Sequence, residues 1–139
     1  MQVLYFTAGP DKEFPLPVEG WNHHQQNINS VGRFNEIVGK EEMGYLNDKF
    51  RARLILEDDN KYDLGNAVRV EIDSKLVGYL SRDNAKIYRK SLIKLGQANV
   101  IGECKAGVAG RREALGKPMV YRVWLDMLPW KLQIDESRK

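Results

Sequence analysis

Residues 57–80, EDDNKYDLGNAVRVEIDSKLVGYL, decide the fold. The stretch opens with a polar turn at residues 58–66. Val68, Val70 and Ile72 then fall on one face, with Arg69 and Glu71 on the other. Asp73-Ser74 makes a second turn, and Leu76-Val77-Gly78-Tyr79-Leu80 returns as another strand. Strict alternation between turn-rich clusters is the pattern of a half-buried hairpin. The turn before it carries more polar groups than loop closure needs, which makes it the first candidate for function.

Outward from the hairpin, residues 50–56 (FRARLIL) alternate at first and end apolar, as a strand entering a core does. Residues 34–39 read as an earlier strand ending in Val38-Gly39. Beyond the hairpin, Ser81, Arg82, Asp83 and Asn84 offer N-caps for a helix, and Gly96 offers its stop. Between them Ala85, Tyr88, Leu92 and Leu95 recur at helical spacing. Arg82, Lys86, Arg89, Lys90 and Lys94 then form a basic outer face. Residues 99–104 return as a strand, residues 105–117 read as a Gly-punctuated basic loop, and residues 119–126 form a last strand. These elements predict a mostly β chain with one main helix: a small, partly closed OB-like β-barrel of five to six strands.

The first 33 residues fit this frame least. Residues 3–6, VLYF, suit an edge strand. Gly9-Pro10, Pro15 and Pro17 interrupt regular structure, and residues 20–27, GWNHHQQN, are polar and uncommitted. The expected organisation is an N-terminal extension, 1–33, wrapping a core domain, 34–128. Phe14, Leu16 and Trp21 are its candidate anchors. Residues 129–139 form a charged tail expected to fray.

A chain of 139 residues builds one domain with a real core. No apolar run approaches the ~18 residues of a membrane span. The start lacks the pattern of a signal peptide. The single cysteine, Cys104, excludes an internal disulfide and suits a reducing cytoplasm. Net charge is +3 but unevenly spread. Residues 1–74 hold 8 Lys and Arg against 13 Asp and Glu, a balance of −5. Residues 75–131 hold 12 against 4, a balance of +8. Such a basic segment attracts phosphates, or serves as a solvated face for solubility.

The series Asp58, Asn60, Tyr62, Asp63, then Asn66-Ala67-Val68-Arg69-Val70, then Val77-Gly78-Tyr79-Leu80 and a helix resembles the HIRAN domain. That family occurs at the front of some fork-remodelling DNA translocases and as stand-alone bacterial and phage proteins. The resemblance covers residues 34–127. It implies an OB-related barrel and a pocket for the 3′ end of single-stranded DNA, with a role in DNA repair or replication-fork processing. In that pocket Asp63 would accept a hydrogen bond from the terminal 3′-hydroxyl, Tyr62 would stack on a base, and Asn60 would brace the turn. Tyr79 would stack or bond a phosphate, and Arg82 would pair with one at the helix start. Lys86 and Arg89 follow on the helix. The chain departs from the family pattern after Val38-Gly39, where Lys40-Glu41-Glu42-Met43 replaces an Arg-aromatic pair.

The residues themselves leave other readings open. Asn60 and Asp63 also suit an Asx-type turn with Tyr62 packed over it. No cofactor motif is present, since Gly107-Val108-Ala109-Gly110-Arg111 lacks the GK[ST] ending of a phosphate loop. His23 and His24 are adjacent, and Cys104 is remote, so a zinc set is not formed. The expectation is therefore a non-enzymatic module for single-stranded DNA or other nucleic acid, acting beside DNA-processing proteins and not at a membrane. A protein-interaction barrel is the alternative. A Mg²⁺-dependent nuclease using Asp58, Asp59 and Asp63 ranks last.

Overall fold

In a computed structural model of the chain, residues 2–10, 12–32, 44–111 and 116–138 are described. The expected strand at residues 34–39, and the Lys40-Glu41-Glu42-Met43 departure, lie outside them. The fold is mostly β, a curled antiparallel sheet forming a small, partly closed OB-like barrel. Eight strands are described: β1 Val3–Thr7, β2 Leu16–Pro17, β3 Gly44–Glu57, β4 Ala67–Ile72, β5 Lys75–Tyr79, β6 Ile101–Arg111, β7 Val120–Leu125 and β8 Gln133–Ile134. Two α-helices accompany them, α1 Gln25–Gly32 and α2 Arg82–Lys94. No helix among the described residues is long and apolar enough to cross a membrane.

Six strands form one path in the order β2-β7-β6-β3-β4-β5. The hairpin is the register anchor. Val68, Val70 and Ile72 are buried, while Arg69 and Glu71 stay partly exposed. Asp73 and Ser74 both have positive φ, 50° and 64°, the geometry of a tight turn whose twist suits two antiparallel strands. The long strand β3 pairs with β4 on one side and β6 on the other, with a register shift between Asn47 and Phe50. Such a shift bends a strand and helps a sheet to curl.

The two edges of the path are joined by residues 16–19. Leu16 and Pro17 pair with Leu125 and Trp124 of β7. Two residues later Glu19 bridges Tyr79 of β5, donating from its N–H at 2.8 Å and accepting at 2.9 Å. Gly78 lies beneath this bridge, where a Cβ would run into the Glu19 carbonyl and Val18. Residues 2–32 thus close the barrel and enter its core through Phe6, Leu16, Val18 and Ile28. Trp21 packs against that core, and Phe14 covers Gly107.

Helix α2 plugs one end. Ser81 caps it through the Asn84 N–H, and Gly96, in the left-handed region at φ 71°, ends it. The Gln97 N–H reaches the Leu92 carbonyl and the Gly96 N–H reaches Ile93, a Schellman closure. Ala85, Tyr88 and Leu92 are buried, with the Tyr88 ring edge-on to Phe6 at 6.2 Å. Leu95 is the C-cap and 46% exposed, so the buried face ends at Leu92, three residues earlier than its spacing predicts.

Three further segments differ from their sequence reading. Residues 105–111, expected as loop, continue β6 as strand. Their glycines meet aromatic rings: Gly107 lies under Phe14, and a Cβ on Gly110 would press on Tyr121. Residues 25–32 form a helix held by side chains, with Gln25 bonded to both the N–H and the carbonyl of Tyr121. The tail does not fray as expected, because Ile134 pairs with Phe6 and Arg138 reaches Glu103 at 3.6 Å.

Candidate nucleic-acid interface

The polar turn hangs between the end of β3 and the start of β4, and Glu57 at its root organises it. The Glu57 carboxylate accepts from Asn60 Nδ2 at 2.8 Å and from the Tyr79 hydroxyl at 3.1 Å, and pairs with Arg69 at 3.3 Å. Arg69 also stands 2.8 Å from Glu71. Asn60 Oδ1 accepts from the N–H groups of Tyr62 and Asp63, so Asn60 makes the Asx-type turn with one end and grips Glu57 with the other. Burial and the Glu57 bond together push the Tyr79 hydroxyl above its ordinary value.

Helix α2 holds the turn from the other side. Arg82 Nη2 donates to the Tyr62 carbonyl at 2.9 Å. Arg89 donates to the carbonyls of Asn66 and Ala67, at 3.0 and 2.7 Å, and pairs with Asp58 at 2.7 Å. Its side chain is only 16% exposed. Arg89 is therefore a clamp beneath the turn and not part of the basic outer face, to which Lys86 and Lys90 do belong.

An open cleft of about 1040 Å³ lies along this turn. Asn60, Tyr62 and Tyr79 line it, together with Glu57, Asp58, Asp59, Lys61, Arg69, His23 and His24. Tyr62 stands at its mouth, 71% exposed, with Lys61 Nζ 5.0 Å from its ring centroid. Asp63 is half-buried on the turn, its Oδ1 3.5 Å from Asn66 Nδ2, and does not line the cleft. The seven expected residues thus divide. Asn60, Tyr62 and Tyr79 face one cleft, Arg82 and Arg89 fasten the turn, Lys86 projects from the helix, and Asp63 sits beside the opening.

Sequence reasoning missed Glu57, Arg69 and the two histidines. His23 ends a 3-10 helix, Trp21–His23, and His24 follows it, so both reach the cleft despite being adjacent. Burial, then the neighbouring His23 and Arg69, hold His24 below the usual histidine value. No group of three His, Cys, Asp or Glu side chains among the described residues is placed to hold a metal ion. Asp58, one of the three carboxylates of the nuclease reading, is committed to Arg89.

No protein-family model, curated protein or solved structure matches this chain.

Proposed function

We propose that the chain is a HIRAN-like, non-enzymatic module that binds single-stranded DNA at the Tyr62 cleft and engages its 3′ end through Asp63. The observation that carries this reading is Tyr62 itself. A large ring left 71% exposed, on a turn immobilised by Asn60, Arg82 and Arg89, is a ready stacking platform. Bases stack on such rings with little sequence preference. Lys61 beside the ring, with Arg82 and Lys86 on the adjoining helix, supplies charge for phosphates. The Tyr79 hydroxyl is engaged by Glu57, so Tyr79 supports the cleft wall and Tyr62 does the stacking. The single, fully buried thiol of Cys104 suits a cytoplasmic setting among DNA-processing proteins.

The test is a fluorescence-anisotropy titration with labelled single strands whose 3′ end is free or blocked, at two salt concentrations. Tyr62→Ala should weaken binding roughly 5-fold to 150-fold, the range for losing one stacked base. Asp63→Ala should erase any preference for the free end. Absence of binding at low salt would sink the proposal.

A second reading has one observation in its favour. Leu64, on the same turn, is as exposed as Tyr62, so the turn presents two large apolar side chains. A protein partner docking there would bind with little salt dependence, whereas phosphate binding weakens steeply with salt.

A further inference from the structure

A second groove, of about 710 Å³, lies on the outer face of β6 and β7. Trp21, Ala109, Arg111, Val120, Arg122 and Trp124 line it. Strand alternation places them there: Tyr121, Val123 and Leu125 of β7 are buried, which sends Val120, Arg122 and Trp124 outward. The small Ala109 is the register partner of Arg122, and its size leaves the groove open. The Arg122 guanidinium sits 4.4 Å over the Trp21 ring, a planar cation already stacked on an indole. Among the described residues the lining contains two guanidinium groups, two indoles and no carboxylate.

We propose that this groove is a second contact site for a single nucleic-acid strand, with phosphates on Arg111 and Arg122 and a base on Trp124, while Trp21 holds the Arg122 guanidinium in place. The proposal rests on the nucleic-acid reading of the Tyr62 cleft. An acidic peptide would satisfy the arginines equally well, but its carboxylates leave the Trp124 indole without a partner. The same 3-10 helix serves both openings, since Trp21 lines the groove while His23 lines the Tyr62 cleft. A strand leaving the cleft across that helix arrives at Trp21. The protein then grips the end of a strand at one place and its body at another.

The experiment compares oligothymidylates of roughly 4 and roughly 16 nucleotides, the range of site sizes for OB-type barrels. The double variant Arg111→Ala/Arg122→Ala changes two exposed side chains and should keep the thermal melt of the parent. We expect it to bind the long strand roughly 5-fold or more weakly, with the short strand unaffected. The salt slope for the long strand should fall by about 1.4, at about 0.7 per phosphate contact. Trp124→Phe, which retains a ring, should bind the long strand better than Trp124→Ala. A control double variant, Lys75→Ala/Lys131→Ala, removes the same charge away from both openings. Equal weakening by that control would overturn the proposal. So would an unchanged long-strand affinity, or displacement of the long strand by poly-glutamate at equal charge. Failure of Tyr62→Ala to weaken the short strand counts against the cleft reading alone; failure of the arginine pair counts against the groove.

Discussion

The Tyr79 hydroxyl lies 3.1 Å from Glu57 Oε1 and 3.3 Å from Oε2, donating into a carboxylate that Asn60 and Arg69 already share. One acidic side chain thereby joins the end of β3, the turn, β4 and β5. Of the three carboxylates that line the cleft, Glu57 spends its charge on these partners and Asp58 on Arg89, while Asp59 stands two residues before Lys61 in the sequence of the turn.

Glu57→Ala strands three donors at once and should cost about 1–3 kcal/mol in urea denaturation. Tyr79→Phe removes one bond and should cost about 1 kcal/mol or less. Affinity for single-stranded DNA should survive Tyr79→Phe unchanged and fall in Glu57→Ala, because the turn loses its root. Loss of affinity in Tyr79→Phe would return the hydroxyl to the list of ligand contacts.

Arg89→Ala should destabilise the fold by about 2–3 kcal/mol, since it leaves two partly buried carbonyls without a charged donor. Asp58→Ala removes only the ion pair, whose carboxylate is 80% exposed, and should cost under ~1 kcal/mol. Arg89→Lys should not restore stability, because one ammonium does not reproduce the fork that reaches both carbonyls. Paired denaturation curves check the ordering.

Stability should fall on the alkaline side. Burial, with the charge of Asp126 adding, pushes the Cys104 thiol from 9.0 to about 12, and burial also raises Tyr88 above 10.0. Both folded-state values are raised, so the folded chain keeps protons that the unfolded chain releases. Stability is therefore full below pH 9.0 and drains as pH climbs towards 12. The slope approaches ~1.4 kcal/mol per pH unit for each group. Urea midpoints measured in steps from neutral pH upward check this, and Cys104→Ala should flatten the first part of the fall.

What the sequence makes legible here is short-range. The period of two at Val68, Val70 and Ile72, the Ser81 cap and the Gly96 stop each depend on neighbours within a few residues, and each appears in the fold. The barrel class follows from such signals together. What stays hidden depends on partners far along the chain. Gly107 and Gly110 read as loop because the rings that cover them belong to Phe14 and Tyr121. Helix α1 buries Ile28 and takes its footing from the Gln25 bonds to Tyr121 and from Asn27 to the Leu76 carbonyl. Arg89 reads as a surface cation on a helical wheel, yet its carbonyl partners lie 22 and 23 residues away. Glu57 is invisible as a hub until the hairpin brings residues 60, 69 and 79 to it.

The closure made by the first strands sets an order of events during synthesis. Val3 waits for Ile101, Phe6 for Ile134, and Pro17 for Trp124. This segment leaves the ribosome well before its partners and is thus among the last to find its place. Until then Phe6, Leu16 and Val18 have no core to enter, and the sheet edge at Tyr79 stands open. Pairings of such long range are slow to form, and an unpaired strand beside an open edge is an invitation to join a neighbouring chain. Overexpression of this protein should therefore be governed by how promptly residues 3–17 meet their distant partners.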